Sequence, residues 1–196
     1  MMVKRLYVHE KIYDEFRTRL VQFIKSLPVG EGTKPDTFFG PLQNAMQFEK
    51  VKELIAETTA SGYQTALQGS AAPSSSGYFI HPTIVDNPPE TSRVVQEEPF
   101  GPILPMLKWS DEEDVIERAN NTDSALGSSV WTKDMGRAMR TADQMESGNV
   151  WVNSHFDVMP TAPFGGHKGS GIGTECGLNG MLGYCNSQTL WLKKNP

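Results

Sequence analysis

The sequence predicts an α/β fold: a doubly wound, mostly parallel sheet with helices on both faces. Three observations lead there. The chain has 196 residues, 38% of them hydrophobic and 21% charged, which are the proportions of an ordinary globular protein long enough to bury a real core. Strand-like and helix-like segments alternate along it instead of grouping by kind. The linkers between them have the length of crossover connections, which lay helices on both faces of a sheet.

Taken in order, Val3–His9 carries β-branched and aromatic residues and predicts a strand. Residues 11–27 predict a helix, with Ile12, Phe16, Leu20, Phe23, Ile24 and Leu27 at three-to-four spacing; Pro28, Gly30 and Gly32 end it. A second amphipathic helix follows over Ala45–Ser61, with Phe48, Val51, Leu54 and Ile55 on one face and Gly62 as its stop. Tyr63–Gln68 alternates like a strand, and Ser70–Gly77 is a polar low-complexity loop. The run "GYFIHPTIV" is extended, and Pro82 suits it to a sheet edge. Ile103–Trp109 is a strand. The stretch "SDEE" predicts a capping box with Ser110 as N-cap and Glu113 at the third helical position, opening a helix over 111–121. Gly127–Thr132 and "NVWVN" are strands around a helix at 134–146. A short helix near Leu178–Tyr184 precedes a last alternating strand, Ser187–Lys193.

Composition excludes several classes of function. A net charge of −5 with no basic stripe argues against nucleic acid. The chain contains no run of 18 apolar residues, so no membrane span is predicted. Two cysteines, Cys176 and Cys185, make no disulfide framework and have no CxxC partner, and the four histidines are scattered. No metal site is expected, and the compartment is expected to be reducing.

Two stretches carry chemistry. "PFGGHKGSGIGTECG" (163–177) holds six glycines. It is not a P-loop, because Lys168 is followed by Gly169 instead of Ser or Thr, and "GSGIG" is not GxGxxG. On spacing alone it reads as a turn-rich surface loop. "QEEPFGP" (96–102) has adjacent carboxylates, Glu97 and Glu98, which in extended backbone point to opposite faces, one toward a site and the other toward solvent. Taken singly, each is a solvated surface charge more readily than a functional group. Either cysteine is a packing residue more readily than a nucleophile, although Cys176 stands at a predicted helix start, where a thiol pKa can fall.

Four stretches in this order, "EEPFGP", "NNTDSALGSSVWTKD", "GNVWVN" and "PFGGHKGSGIG", resemble the NAD(P)-dependent aldehyde dehydrogenase superfamily. "KRLYVHEKIYDEF" and "FFGPLQN" fit as well, so the resemblance covers the whole chain. It implies a catalytic-domain portion over 1–186 and a C-terminal oligomerisation strand over 187–196, without the dinucleotide-binding domain. Arg5 matches the basic residue that stands five positions after the nucleophilic cysteine. That cysteine is therefore expected immediately before Met1, and the general-base glutamate further upstream. The resemblance leaves no catalytic residue and no metal ligand in this chain and implies that it is inactive alone.

For the cofactor, the resemblance assigns Glu98 to the nicotinamide ribose, Phe100 to the nicotinamide, and Gln47 and Lys50 to the adenosine ribose. It assigns Phe164 and Val158 to the aldehyde funnel and Asn153 to support of the active-site loop. NAD or NADP serves intact relatives, and no tight binding is expected here. Thr174 stands where many relatives have arginine, which puts an ion pair near a subunit contact in doubt. The expected partners are a second copy of the chain, in a homodimer or larger, or full-length aldehyde dehydrogenase subunits. The expected compartment is the cytoplasm, or the mitochondrion if a targeting segment precedes Met1. The competing readings are a non-catalytic interaction protein and a small-molecule binding module built on what remains of the cofactor cleft.

Overall fold

The structure is a computed structural model that describes residues 3–71 and 77–194; most of the Ser70–Gly77 loop lies outside them. The chain divides into two compact units, Met1–Val115 and Ile116–Pro196. This division differs from the one read from the sequence, which ran a single domain over 1–186.

The first unit opens with β1 (Leu6–His9) and α1 (Glu10–Lys25), continues through α2 (Ala45–Ala60), β2 (Thr65–Leu67), β3 (Thr83–Asp86) and α3 (Arg93–Gln96), and reaches β4 (Ile103–Trp109). Its four strands form one sheet in the order β1-β4-β3-β2. β4 pairs in parallel with β1, Leu6 against Met106, and with β3, Thr83 against Ile103; β2 runs antiparallel to β3.

Alternation along these strands sorts side chains between two cores. Met106 and Ile84 pack with Val8 and with Tyr13, Leu20, Val21 and Ile24 of α1. Ile103, Leu107 and Val85 pack with Val51, Leu54 and Ile55 of α2. Helices therefore cover both faces, and the doubly wound, mostly parallel α/β class holds.

Several local expectations change. α1 lies close to its expected bounds, but its buried face is rotated. Tyr13 is fully buried, whereas Ile12, Phe16 and Phe23 are exposed. The three-to-four spacing described two overlapping apolar stripes, and the aromatic ring of Tyr13 selected the face. β3 is an interior strand, not an edge. Pro82 sits just before its first residue, where a missing N–H costs no ladder bond. The helix after β4, α4 (Glu112–Asn120), is capped by Asp111, whose Oδ1 accepts from the amide of Asp114 at 2.9 Å; Ser110 lies one residue too early. The one-turn α3 was not foreseen, because four residues carry too little periodicity.

The second unit contains β5 (Ser124–Ala125), β6 (Gly127–Val130), α5 (Met135–Asp143), β7 (Asn149–Val152), β8 (His167–Lys168) and α6 (Gly177–Leu182). β6 and β7 are parallel, Ser129 against Trp151, and β5 and β8 are antiparallel. α5 starts at Asp134, whose carboxylate accepts from the amide of Arg137 at 2.9 Å, and it buries Ala138. Residues 187–193, expected as a strand, join no ladder among the described residues. Leu190, Trp191 and Leu192 are 77%, 89% and 83% exposed. A strand needs a neighbour to satisfy its backbone groups, and among the described residues the segment has none.

Tyr13 ties α1 to the sheet. Its hydroxyl lies 2.6 Å from Asp86 Oδ1 and 3.0 Å from the carbonyl of Met106, and Arg17 pairs with the other Asp86 oxygen at 2.6 Å. Burial first, and then the Asp86 carboxylate, push the phenol above its usual range. Tyr13→Phe is expected to cost about 1–3 kcal/mol, because a buried hydrogen bond is lost and Asp86 keeps only Arg17. A lowered urea midpoint followed by circular dichroism checks this.

Candidate functional site

In the first unit the candidate site is built on the N-terminal half of α2. Asn44 caps this helix, its Oδ1 accepting from the amide of Gln47 at 2.9 Å. With Val51, Leu54 and Ile55 buried, residues three apart on the flanking stripe, Gln47 and Lys50, share a face. Both reach the turn that leads into β4. The Gln47 amide donates to the carbonyl of Pro99. Lys50 Nζ donates to the carbonyl of Glu98 at 3.4 Å and lies 3.5 Å from the Glu97 carboxylate.

The adjacent glutamates separate as extended backbone requires. Glu97 faces Arg93, whose Nε donates to it at 2.6 Å, while Glu98 is exposed. The hydrogen bond from Arg93 holds the Glu97 carboxyl below its usual range, against the opposing effect of partial burial. Phe100 adopts a left-handed φ of 42° and leaves its ring 62% exposed. A non-glycine residue there costs on the order of 1–3 kcal/mol and persists only where its surroundings enforce it. The next residue supplies the constraint. A Cβ on Gly101 would stand 2.5 Å from Val51 Cγ2, so the backbone lies directly on α2. Gln47, Lys50, Glu98 and Phe100, distant in sequence, thus converge on one turn.

The second unit holds the remaining candidates. Asn153 follows β7 at a φ of 54°. Its Oδ1 accepts from the amide of Thr132 and its Nδ2 donates to the carbonyl of Thr132, each at 2.9 Å, which fixes the loop after β6. Val158 is exposed in the following loop. That loop folds back so that His155 and Phe156 lie edge-on to Trp151, at 5.4 and 6.4 Å between ring centroids. His155 Nδ1 is 2.6 Å from Ser129 Oγ, and the Trp151 indole donates to the carbonyl of Asp157 at 2.9 Å.

Phe164 makes a two-way backbone bridge with Glu175, at 2.8 and 2.7 Å, closing the glycine-rich loop. The carbonyl of Gly165 accepts from Asn149 Nδ2 at 2.9 Å, and Gly148 packs so closely on it that a Cβ would lie 2.0 Å away. β7 therefore anchors Asn153 at its end and the Phe164–Gly165 segment at its start, and these candidates are not gathered at one point. Lys168 is used within the fold: its Nζ lies 2.6 Å from the carbonyl of Asn120 and 2.5 Å from Glu146.

Sequence reasoning missed Arg93, although Arg93 and Glu97 stand at the i, i+4 spacing of a helical ion pair. It also missed His155, whose bond to Ser129 runs from the loop after β7 to β6 and leaves no local signal. Among the described residues, no group of three or more His, Cys, Asp or Glu is arranged to hold a metal ion, and no helix is long and apolar enough to cross a membrane.

A parallel sheet wound on both sides, with an "EEPFGP" turn feeding its central strand, is the architecture of a large class of α/β enzymes. Comparison narrows that class. The pattern described as "Aldehyde dehydrogenase family" matches residues 1–190. The chain is 38% identical over 191 residues to a putative aldehyde dehydrogenase, FUS7, of Gibberella fujikuroi, covering 97% of this chain and 40% of that protein. It is 40% identical over 195 residues to retinaldehyde dehydrogenase 3 of Rattus norvegicus, covering 98% and 38%. The solved NAD+ complex of an aldehyde dehydrogenase from Bacillus cereus superposes with a TM-score of 0.92 at 33% identity, over 98% of this chain and 39% of that one. The chain belongs to the aldehyde dehydrogenase family, and it spans 38–40% of the length of these curated relatives.

Two outcomes test the turn. Gly101→Ala forces Val51 or the backbone to move and is expected to cost about 1–3 kcal/mol, whereas Gly40→Ala, which meets nothing within 4 Å, is expected to be close to neutral; thermal melts compare them. Because the Glu97 pKa is lowered from 4.5, its contribution is complete above that value and is lost as pH falls through the lower folded value. Glu97→Gln is therefore expected to lower the melting temperature at neutral pH, with the gap to the wild-type chain closing below pH 4.5.

Proposed function

We propose that this chain supplies the nicotinamide-ribose wall and one funnel wall of an NAD(P)-dependent aldehyde dehydrogenase catalytic domain, and that it does not oxidise aldehydes alone. The observation that carries the reading is the Glu98–Phe100 turn. It presents an exposed carboxylate beside an exposed aromatic ring, and the backbone beneath them is held from α2. A carboxylate has two oxygens to accept from two vicinal ribose hydroxyls, and an aromatic face suits a planar nicotinamide. These residues fit the group.

When bound, the nicotinamide accepts hydride from the substrate. What this chain contributes is binding and orientation. Glu98 holds the ribose, Phe100 limits the nicotinamide's position, and Gln47 and Lys50 hold the turn while their remaining polar atoms face the adenosine side. Phe164 and Val158 line the aldehyde path, and Asn153 keeps the adjacent loop in place.

The family pattern puts the thiol nucleophile well ahead of the "EEPFGP" turn, whereas Cys176 and Cys185 both lie far beyond that turn, Cys176 near the end of the glycine-rich loop and Cys185 after it. Loss of a covalent nucleophile costs about 10⁶ in turnover in other enzymes.

A second reading, a non-catalytic interaction protein, is favoured by the segment carrying Leu190, Trp191 and Leu192. An exposed, apolar stretch with strand-like alternation is suited to add a strand to a partner, either a second copy or a full-length family member. The two readings are compatible, and a homodimer or larger is expected.

Three measurements test them. The chain mixed with NAD and an aldehyde is expected to give no NADH absorbance above background; turnover abolished by Cys176→Ala would overturn the inactivity. NAD titrated by calorimetry is expected to bind no tighter than millimolar, and weaker still in Glu98→Gln. Sedimentation is expected to show a dimer or larger that Trp191→Glu shifts toward monomer.

A further inference from the structure

Arg93 pairs with three carboxylates, and the proposed cofactor role leaves it unused. Its Nη1 lies 2.9 Å from Glu53 and 2.5 Å from Glu57, both on α2, and its Nε lies 2.6 Å from Glu97 Oε1. The other Glu97 oxygen faces Lys50. The base of Arg93 is fixed, because Val94 and Val95 beside it are buried in the core shared with α2.

Two neighbouring carboxylates on one turn repel each other and compete for the same cation. Here the competition is decided by geometry. The Arg93 fork and Lys50 take Glu97, and Lys50 meets Glu98 only at its backbone carbonyl. Without the guanidinium, Glu97 would have Lys50 alone among three carboxylates, and Lys50 would be drawn off the Glu98 carbonyl.

We infer that Arg93 is a positioning residue: by fixing Glu97 it sets the Glu98–Phe100 turn in the conformation that meets the cofactor ribose. The inference rests on the cofactor reading of Glu98. An arginine is needed because its Nε and Nη1 address carboxylates on two different elements at fixed angles; a lysine offers a single point charge.

The test is amide relaxation by NMR on this chain and on Arg93→Met, Arg93→Lys and Glu97→Gln. Order parameters of Glu98, Phe100 and Gly101 are expected to fall from about 0.85 to below about 0.6 in both Arg93 variants, while Val51 and Leu54 stay rigid. Glu97→Gln, which leaves Arg93 on Glu53 and Glu57, is expected to loosen the same three amides, and it decides the matter if an Arg93 variant fails to fold. Unchanged order parameters in the folded variants, or a loss shared equally by Val51 and Leu54, would overturn the inference.

A second arm separates this from the cofactor reading. Millimolar NAD is expected to shift the Glu98 and Phe100 signals of the wild-type chain and to lose that effect in Arg93→Lys. Wild-type-sized shifts in Arg93→Lys overturn the positioning role. Absence of any shift in the wild-type chain instead overturns the ribose assignment, with relaxation still deciding whether Arg93 sets the turn.

Discussion

The parallel ladder on both sides of β4 is the constraint from which the first unit follows. A central strand must satisfy backbone groups on two edges, and β4 does so against β1 and β3 while passing Met106 to one core and Ile103 and Leu107 to the other. α1 and α2 are held by those cores, so their placement is a consequence of the alternation. The Glu98–Phe100 turn enters β4 directly. It inherits the rigidity of the strand on one side and of α2 on the other, and a short loop can therefore hold a left-handed phenylalanine.

Strain in this protein is not spread evenly. Left-handed backbone at non-glycine residues falls at Phe100, Asn153 and Phe156, at or next to candidate site residues, as well as at Asn87, Lys168 and Cys176. Such conformations last where packed elements over-determine them. Apart from Lys168 in the two-residue β8, these positions lie outside strands and helices, in the connecting segments that carry polar and aromatic groups. The same division appears in the charges. Arg93 draws Glu53, Glu57 and Glu97 together on the scaffold side, and the carboxylate of Glu98 is left outward.

Much of this was legible in the residues. β4 was read with its exact bounds, because Ile103–Trp109 is long, apolar and bracketed by Pro102 and Ser110. α2 and its buried face followed from an unambiguous 3.6-residue stripe. What failed had a local cause. α1 carries apolar residues on more than one stripe, so the contact with the sheet, not the period, chose Tyr13. The two-residue β5 and β8 lie below any periodic signal. The candidate cofactor residues were placed by family resemblance, and their convergence on one turn depends on contacts spanning about fifty residues, Gln47 to Pro99 and Lys50 to Glu98. The last apolar segment alternates like a strand, yet among the described residues it joins no ladder, so its periodicity described a capacity and not a local state.

Asn153 has a broader consequence. Its carboxamide grips the backbone of a single residue, the N–H and C=O of Thr132, and not the threonine side chain. It does for the loop after β6 what a neighbouring strand would do, but without regard to sequence. A clamp of this kind is blind to spelling. The residues around it are free to change in size, charge and polarity while the path of the chain stays put, so the wall of a binding site can be rewritten without redesigning the building.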